Sequence, residues 1–267
     1  MNIDQFQKLI NSWYREYRRD LPWRNTFDAY SILVSEIMLQ QTQVSRVLNY
    51  YDKFLKTYPT FSALATADNK TLFDLWSGLG YWKRALNLKK IAEIVEEKYE
   101  GVLPREINIL KTLPGIGEYT SAALLCFIYN YPVAFIETNI RKVIKHFFFK
   151  DEEFVSDKEI YKIAELTLDR NNPREWNYAL MDYGSSQFRK NEISKKVKKE
   201  SFINSNRYYR GELIRFINLN GEVSINEVRK LLNNMSQDKI TNSRLNIILD
   251  SLVKDELIIN NGEKYFI

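Results

Sequence analysis

The sequence contains one cysteine, Cys126, and one histidine, His146, among 267 residues. One thiol cannot close an internal disulfide or ligate an iron–sulfur cluster. Together with one imidazole it cannot supply a zinc site built on several Cys and His ligands. Chemistry on this chain must therefore use carboxylates, hydroxyls, amides, lysines or arginines. An apolar signal core is also missing, because the N-terminus reaches charge at Asp4 and produces no continuous apolar run through Asp20. That predicts a reducing, cytoplasmic location, nucleoid-associated if the source is prokaryotic. One uncharged run, residues 119–136, is long enough to span a membrane. Asn130 and Pro132 break it, so a buried core helix followed by a turn is expected and no membrane partner. Internal repeats and low-complexity tracts are absent.

The 39 Lys and Arg exceed the 34 Asp and Glu, giving a net charge of +5, and 45% of residues are hydrophobic. A chain of this length and composition can bury a sizeable core in two or three compact units. The basic excess, with a pI near 9.0, favours a polyanionic partner.

Helical periodicity dominates the first 188 residues. Phe6, Ile10 and Trp13 recur at offsets of four and three, and Leu33, Ile37, Val44, Val47, Tyr51 and Leu55 continue the habit. Short glycine and proline breaks separate such segments, at Leu21-Pro22, Tyr58-Pro59, Gly78 to Gly80, Gly101 to Pro104, Pro114 to Gly117, Tyr131-Pro132 and Asn172-Pro173. No strand pattern stands out in this region, which reads as all-α. From Arg189 to Arg215 the composition turns basic, as either a solvated face or a phosphate-tracking segment. Helical patterns follow near 207–219, 224–233 and 241–254. Two short apolar runs, 257–259 and 265–267, then flank Asn260-Asn261-Gly262, a hairpin signal. Three helices and a hairpin resemble a winged helix.

The segment Thr112-Leu113-Pro114-Gly115-Ile116-Gly117-Glu118-Tyr119-Thr120 lies between two helical patterns. Glycines at 115 and 117 permit a tight turn whose backbone N–H groups face outward at a helix start, where a phosphate can approach. Gly-x-Gly alone is most often a plain helix connection. Preceded by Leu113-Pro114 and followed by the small residues Thr120 to Ala123, it matches the helix-hairpin-helix of DNA repair glycosylases.

Further motifs fall into register with one family. Leu21-Pro22-Trp23-Arg24, Glu36 through Val44 (EIMLQQTQV), Gly78-Leu79-Gly80-Tyr81, Glu137-Thr138-Asn139 and Met181-Asp182-Tyr183-Gly184 resemble the MutY-type adenine DNA glycosylases of the helix-hairpin-helix superfamily over residues 5–188. The resemblance implies a mainly α, two-lobed helix-hairpin-helix DNA glycosylase fold at 1–190. A basic linker at 191–205 and a small winged-helix-like domain at 206–267 would follow. It implies a monomer acting on double-stranded DNA with a mismatched or damaged base pair, hydrolysing the N-glycosidic bond of a flipped adenine opposite G or 8-oxoguanine.

Cleaving that bond needs a proton for the departing ring and a negative charge near the cationic sugar, so two separated carboxylates are the minimum. Glu36, in an apolar helix, is the expected acid, and Glu137, aided by Asn139, the expected charge. The family has Asp where Glu137 stands, so an extra methylene shifts the carboxylate. Tyr119 occupies the place where strand-cutting relatives carry a lysine, which predicts a monofunctional enzyme. Leu21, Trp23, Arg24 and Asp182 correspond to base-pocket positions, with Asp182 able to accept from an exocyclic amine. Gln40, Gln41, Thr42, Leu79, Tyr81, Gly115, Gly117 and Thr120 correspond to DNA-contacting positions. The family's four cluster cysteines are missing, so no iron–sulfur cluster is expected. Lys195 to Lys199 could replace its DNA contacts, and a hairpin-bound monovalent or divalent cation is the one cofactor left open. Two alternatives stay open: excision of thymine or uracil opposite guanine or of another modified base, and non-catalytic binding of DNA lesions.

Overall fold

The computed structural model describes residues 1–150, 152, 154–188, 202–236 and 239–267. The lysine run at 195–199 lies outside them, as does most of the expected linker. In chain order the helices are α1 (Ile3–Tyr17), α2 (Ala29–Leu39), α3 (Val44–Thr57), α4 (Phe61–Ala65), α5 (Asn69–Trp76), α6 (Lys83–Tyr99) and α7 (Ile107–Leu110). Then come α8 (Glu118–Tyr129), α9 (Thr138–Phe148), α10 (Asp157–Leu166) and α11 (Pro173–Gln187). The C-terminal part adds α12 (Asn206–Asn220), β1 (Val223–Ser224), α13 (Ile225–Met235), α14 (Asn242–Lys254), β2 (Ile259–Asn260) and β3 (Lys264–Phe266). The fold is mainly α, as the periodicity predicts. No helix among the described residues is long and apolar enough to cross a membrane.

Two compact units interleave along the chain. One combines Met1–Glu36 with the described part of Leu103–Lys196, the other Ile37–Val102 with the described part of Val197–Ile267. Composition places a boundary near residue 190, whereas contacts group the C-terminal segment with residues 37–102.

In the first unit, Asn2 and Gln5 form a capping box that starts α1, satisfying two N–H groups that lack helical partners. Phe6, Ile10 and Tyr14 form its buried stripe. Trp13 lies beside that stripe, stacked on Tyr17 and edge-on to Tyr183. Phe6 is packed by Phe147, Phe148 and Trp176. Helix α8 is buried from Thr120 through Ile128, the pattern of a core helix surrounded on all sides. Asn130, at φ 54°, ends it in the left-handed region, and Pro132 follows. Helix α11 packs on α9, and a Cβ at Gly184 would come 2.6 Å from the Asn139 carbonyl oxygen. Only glycine admits so close an approach, which seats the start of α9 against α11.

In the second unit, α12 packs on α5 and α14. The Asn218 side-chain amide donates to the Lys70 carbonyl at 3.2 Å and to Asp74 at 2.6 Å. The three strands form an antiparallel sheet in the order β1-β3-β2, with Val223 opposite Tyr265 and Ile259 opposite Phe266. Its turn is built by Asn side chains, Asn260 accepting from the Gly262 N–H and Asn261 from Lys264. Three helices and this small sheet give the winged-helix-like arrangement. Strand β1 was not visible in the sequence. It is two residues long, and its Ser224 doubles as the cap of α13.

Candidate active site

Glu36 sits near the end of α2 and is 5% exposed, with Ile32, Leu33 and Ile37 buried around it in sequence. Burial pushes its carboxyl up to about 7. The Tyr119 hydroxyl, donating to Oε2 at 3.2 Å, and Arg24 pull the other way, while the charge on Glu137 pushes further up. The Tyr119 ring is fixed edge-on against Phe135. Burial holds the phenol far above its ordinary value, and the Glu36 and Glu137 carboxylates add to that, so it stays a donor.

Glu137 is the N-cap of α9. Its Oε1 accepts the Ile140 N–H at 2.7 Å and its Oε2 accepts from the Asn139 side-chain amide at 3.2 Å. Burial raises this carboxyl too, against the N–H groups of Asn139 and Ile140, the Asn139 amide and the charge of Lys142. Those donors and the positive end of the helix favour the ionised form. Glu36 has one phenol. The environments thus separate two neighbouring carboxyls into a proton holder and a charge holder. Asp is the better N-cap in general, yet Glu137 makes the cap bond with its extra methylene.

Asp182 requires a correction. Its expected role as an acceptor for a base amine does not match its surroundings, because both oxygens are already occupied. Arg24 binds it through two N–H groups, each at 2.8 Å. Arg19 adds its backbone N–H at 2.9 Å and its Nε at 2.7 Å. Asp182 is 1% exposed. Although burial pushes its carboxyl up, Arg24 and Arg19 hold it below its ordinary value. It anchors Arg24, whose guanidinium lies over the Tyr178 ring at 4.2 Å. Leu21 and Trp23, in the turn carrying Arg24, are buried. Arg19 and Tyr178 went unnoticed in the sequence, since neither stands in a motif.

The hairpin between α7 and α8 has Gly115 at φ 78°, where glycine is favoured. Gly117 is the N-cap of α8 and makes no side-chain cap hydrogen bond, and a helix start of this kind favours an anion. Thr120 is buried, so its side chain belongs to the core and not to a DNA-facing surface.

In the second unit, the turn after α2 carries Gln40, Gln41 and Thr42, and the turn before α6 carries Leu79 and Tyr81. Gln41 at φ 54° and Tyr81 at φ 48° are both left-handed, a conformation that costs free energy in residues other than glycine. What holds them is Arg84. One of its terminal nitrogens donates to the carbonyls of Ile37, Met38 and Gln40. The other donates to the Thr42 hydroxyl and the carbonyls of Leu79 and Gly80. Burial lowers this guanidinium to about 10. Thr42 is thereby turned toward Arg84, and Leu79 is 3% exposed. Both are corrected from DNA contacts to supports of the turns, leaving Gln40, Gln41 and Tyr81 as the accessible members. The signal for Arg84 was present but unread: it lies on the apolar stripe with Leu88, Ile91 and Val95.

One unit thus brings together a helical hairpin, a carboxylic acid and a capped carboxylate. The sequence pattern of the HhH-GPD superfamily base excision DNA repair proteins matches residues 34–168, and the chain belongs to that family. It is 33% identical over 187 residues to the adenine DNA glycosylase of Buchnera aphidicola subsp. Acyrthosiphon pisum, covering 68% of this chain and 53% of that protein. It is 38% identical over 188 residues to that of Mycolicibacterium smegmatis, covering 70% and 64%. The chain thus spans between half and two thirds of these relatives. Among solved structures, a thermostable thymine-DNA glycosylase superposes with a TM-score of 0.65 at 31% identity, over 69% of this chain and 86% of that one. The residues present do not fit an iron–sulfur cluster. The lone Cys126 is buried in α8 and accepts from the Asn177 amide.

Proposed function

We propose that this chain is a monofunctional DNA glycosylase that hydrolyses the N-glycosidic bond of an adenine flipped out of a mismatched duplex, opposite G or 8-oxoguanine. The observation that carries the reading is the pairing of Glu36, which keeps its proton to about pH 7, with Glu137, whose charge is met by helix-start donors. Glu36 gives its proton to a ring nitrogen of the base. The bond electrons leave with the base, and the cationic sugar is stabilised by the Glu137 carboxylate. Water then adds to the sugar carbon and passes its proton to a carboxylate. Tyr119 offers a hydroxyl in place of an amine, so no Schiff base forms and the strand stays intact. The partner is double-stranded DNA, bound by a monomer without an iron–sulfur cluster.

Asp182 favours a second reading. With both oxygens held by arginines, it is not available to an adenine amine. The relative solved as a thymine-DNA glycosylase is matched over most of its length. The second reading keeps the same acid and charge but excises thymine or uracil opposite guanine. Single-turnover excision from a panel of duplexes holding A·G, A·8-oxoguanine, T·G and U·G decides between them. Adenine release with little pyrimidine release is expected, and the reverse order would establish the second reading. No release from any duplex, with binding retained, would reduce the chain to a lesion binder.

A further inference from the structure

The first unit holds a buried cation that the reaction outlined above does not use. Arg174, the second residue of α11, is 3% exposed and makes no ion pair among the described residues. A buried guanidinium without a carboxylate carries a desolvation cost that no partner charge offsets, and an apolar side chain there would avoid it. The contacts of Arg174 fall on one turn. Its Nη2 donates to the Arg24 carbonyl at 3.0 Å and to the Thr26 carbonyl at 2.6 Å. Its guanidinium lies over the Phe27 ring at 4.0 Å, and that ring is 67% exposed. The Arg174 backbone N–H donates to the Asn130 side chain at 3.3 Å. The turn is thereby tied to the start of α11 and the end of α8.

Arg24 is held at both ends, its guanidinium by Asp182 and its backbone by Arg174. The same turn leads into α2, which carries Glu36. We propose that Arg174 is a positioning residue for base excision, bracing the 24–26 turn so that the Arg24 guanidinium keeps one setting relative to Glu36. The inference rests on the glycosylase reading, in which Glu36 is the acid. The titratable and charged groups around Glu36 are Tyr119 and Cys126 of α8, Glu137 at the start of α9, Tyr178 of α11, and Arg24. Arg24 is the one cation in that set. Its charge, with the Tyr119 hydrogen bond, favours the Glu36 carboxylate against burial. A loosened turn weakens that attraction, so Glu36 holds its proton to higher pH and delivers it less readily.

The test makes two measurements on Arg174→Ala, Arg174→Lys and Phe27→Ala. The first is the titration of Glu36 in the free protein, followed by NMR of isotope-labelled glutamate side chains and assigned with Glu36→Gln. The parent midpoint should lie at about 7, and Arg174→Ala should raise it by about half a pH unit or more. Arg174→Lys keeps a donor for the carbonyls but loses the plane on Phe27, and should fall between the two. The second is single-turnover excision from a duplex that the parent cleaves, with affinity measured alongside. Arg174→Ala should lose roughly tenfold in rate and less than about twofold in affinity. Phe27 is exposed, so Phe27→Ala should fold even where Arg174→Ala does not. By opening Arg174 to water it should move both readings in the same direction by a smaller factor. A parent-like Glu36 midpoint in every folded variant would overturn the proposal. Equal losses of rate and affinity with that midpoint unmoved would reduce Arg174 to a support of the fold and overturn it too. A raised midpoint in variants of a protein that releases no base from any duplex would support the brace and sink the glycosylase reading instead.

Discussion

Glu36 is the residue on which the proposed reaction turns, and its burial acts oppositely on stability and chemistry. Its folded value of about 7 lies above the ordinary 4.5, so the native state holds the proton more tightly than the unfolded chain. Stability from this group is full below about pH 4.5 and is lost as pH rises toward 7, by about 3 kcal/mol at the extreme. Glu36→Gln is neutral throughout. The variant should gain stability over the parent at pH 8 and lose the advantage at pH 4, read by denaturant unfolding at both. Excision should fall by about 10² or more with duplex affinity kept, because the amide preserves shape but delivers no proton. The parent's rate should itself decline above about pH 7. Parent-like excision by the Gln variant would remove Glu36 as the acid. Tyr119→Lys places an amine where the phenol now meets Glu36. Borohydride should then trap a covalent DNA adduct that the parent does not form. Absence of trapping would mean that position 119 does not face the sugar. Glu36, Tyr119 and Glu137 were legible because each stands in a short local motif. The engagement of Asp182 was not, since Arg19 and Arg24 lie 163 and 158 positions away and no spacing rule connects them.

Helix ends are set locally, by caps a few residues apart. Asn2, Ser156 and Ser224 each pair with a Gln or Glu three residues on, and Asn130 with Pro132 closes α8 where the uncharged run breaks. What stayed hidden were contacts between elements, such as Gly184 against Asn139 and Arg84 across two turns. The hairpin offers a clean test at this scale. Gly117 has an ordinary φ of −101°, and a Cβ there meets nothing within 4 Å. Asp is moreover a favoured N-cap. Gly117→Asp should therefore fold as well as the parent while placing a negative charge at the helix start. Its affinity should drop by a similar factor for matched, mismatched and abasic duplexes, with a shallower salt dependence. Unchanged affinity in filter binding or anisotropy would show that the hairpin does not clamp phosphate.

At the scale of the whole molecule, sequence and structure divide the chain differently. The shift to basic composition after residue 188 marks a boundary that any reader of the sequence would draw. Contacts are made by apolar faces and polar links that composition does not reveal. Ile217, 0% exposed, lies on α12 beside Asn218, whose amide reaches Lys70 and Asp74 in α5. Truncating a fully buried Ile to Ala costs about 2–5 kcal/mol. If residues 37–102 and the C-terminal helices unfold as one cooperative unit, Ile217→Ala should speed amide exchange in α5 as well as in α12 and α14. Exchange in α8 and α11, which belong to the other unit, should remain at parent rates. Faster exchange confined to residues 206–267 would instead mean that the winged-helix-like segment opens on its own, as the division by sequence predicts. Acceleration in α8 and α11 as well would mean that the whole chain opens together.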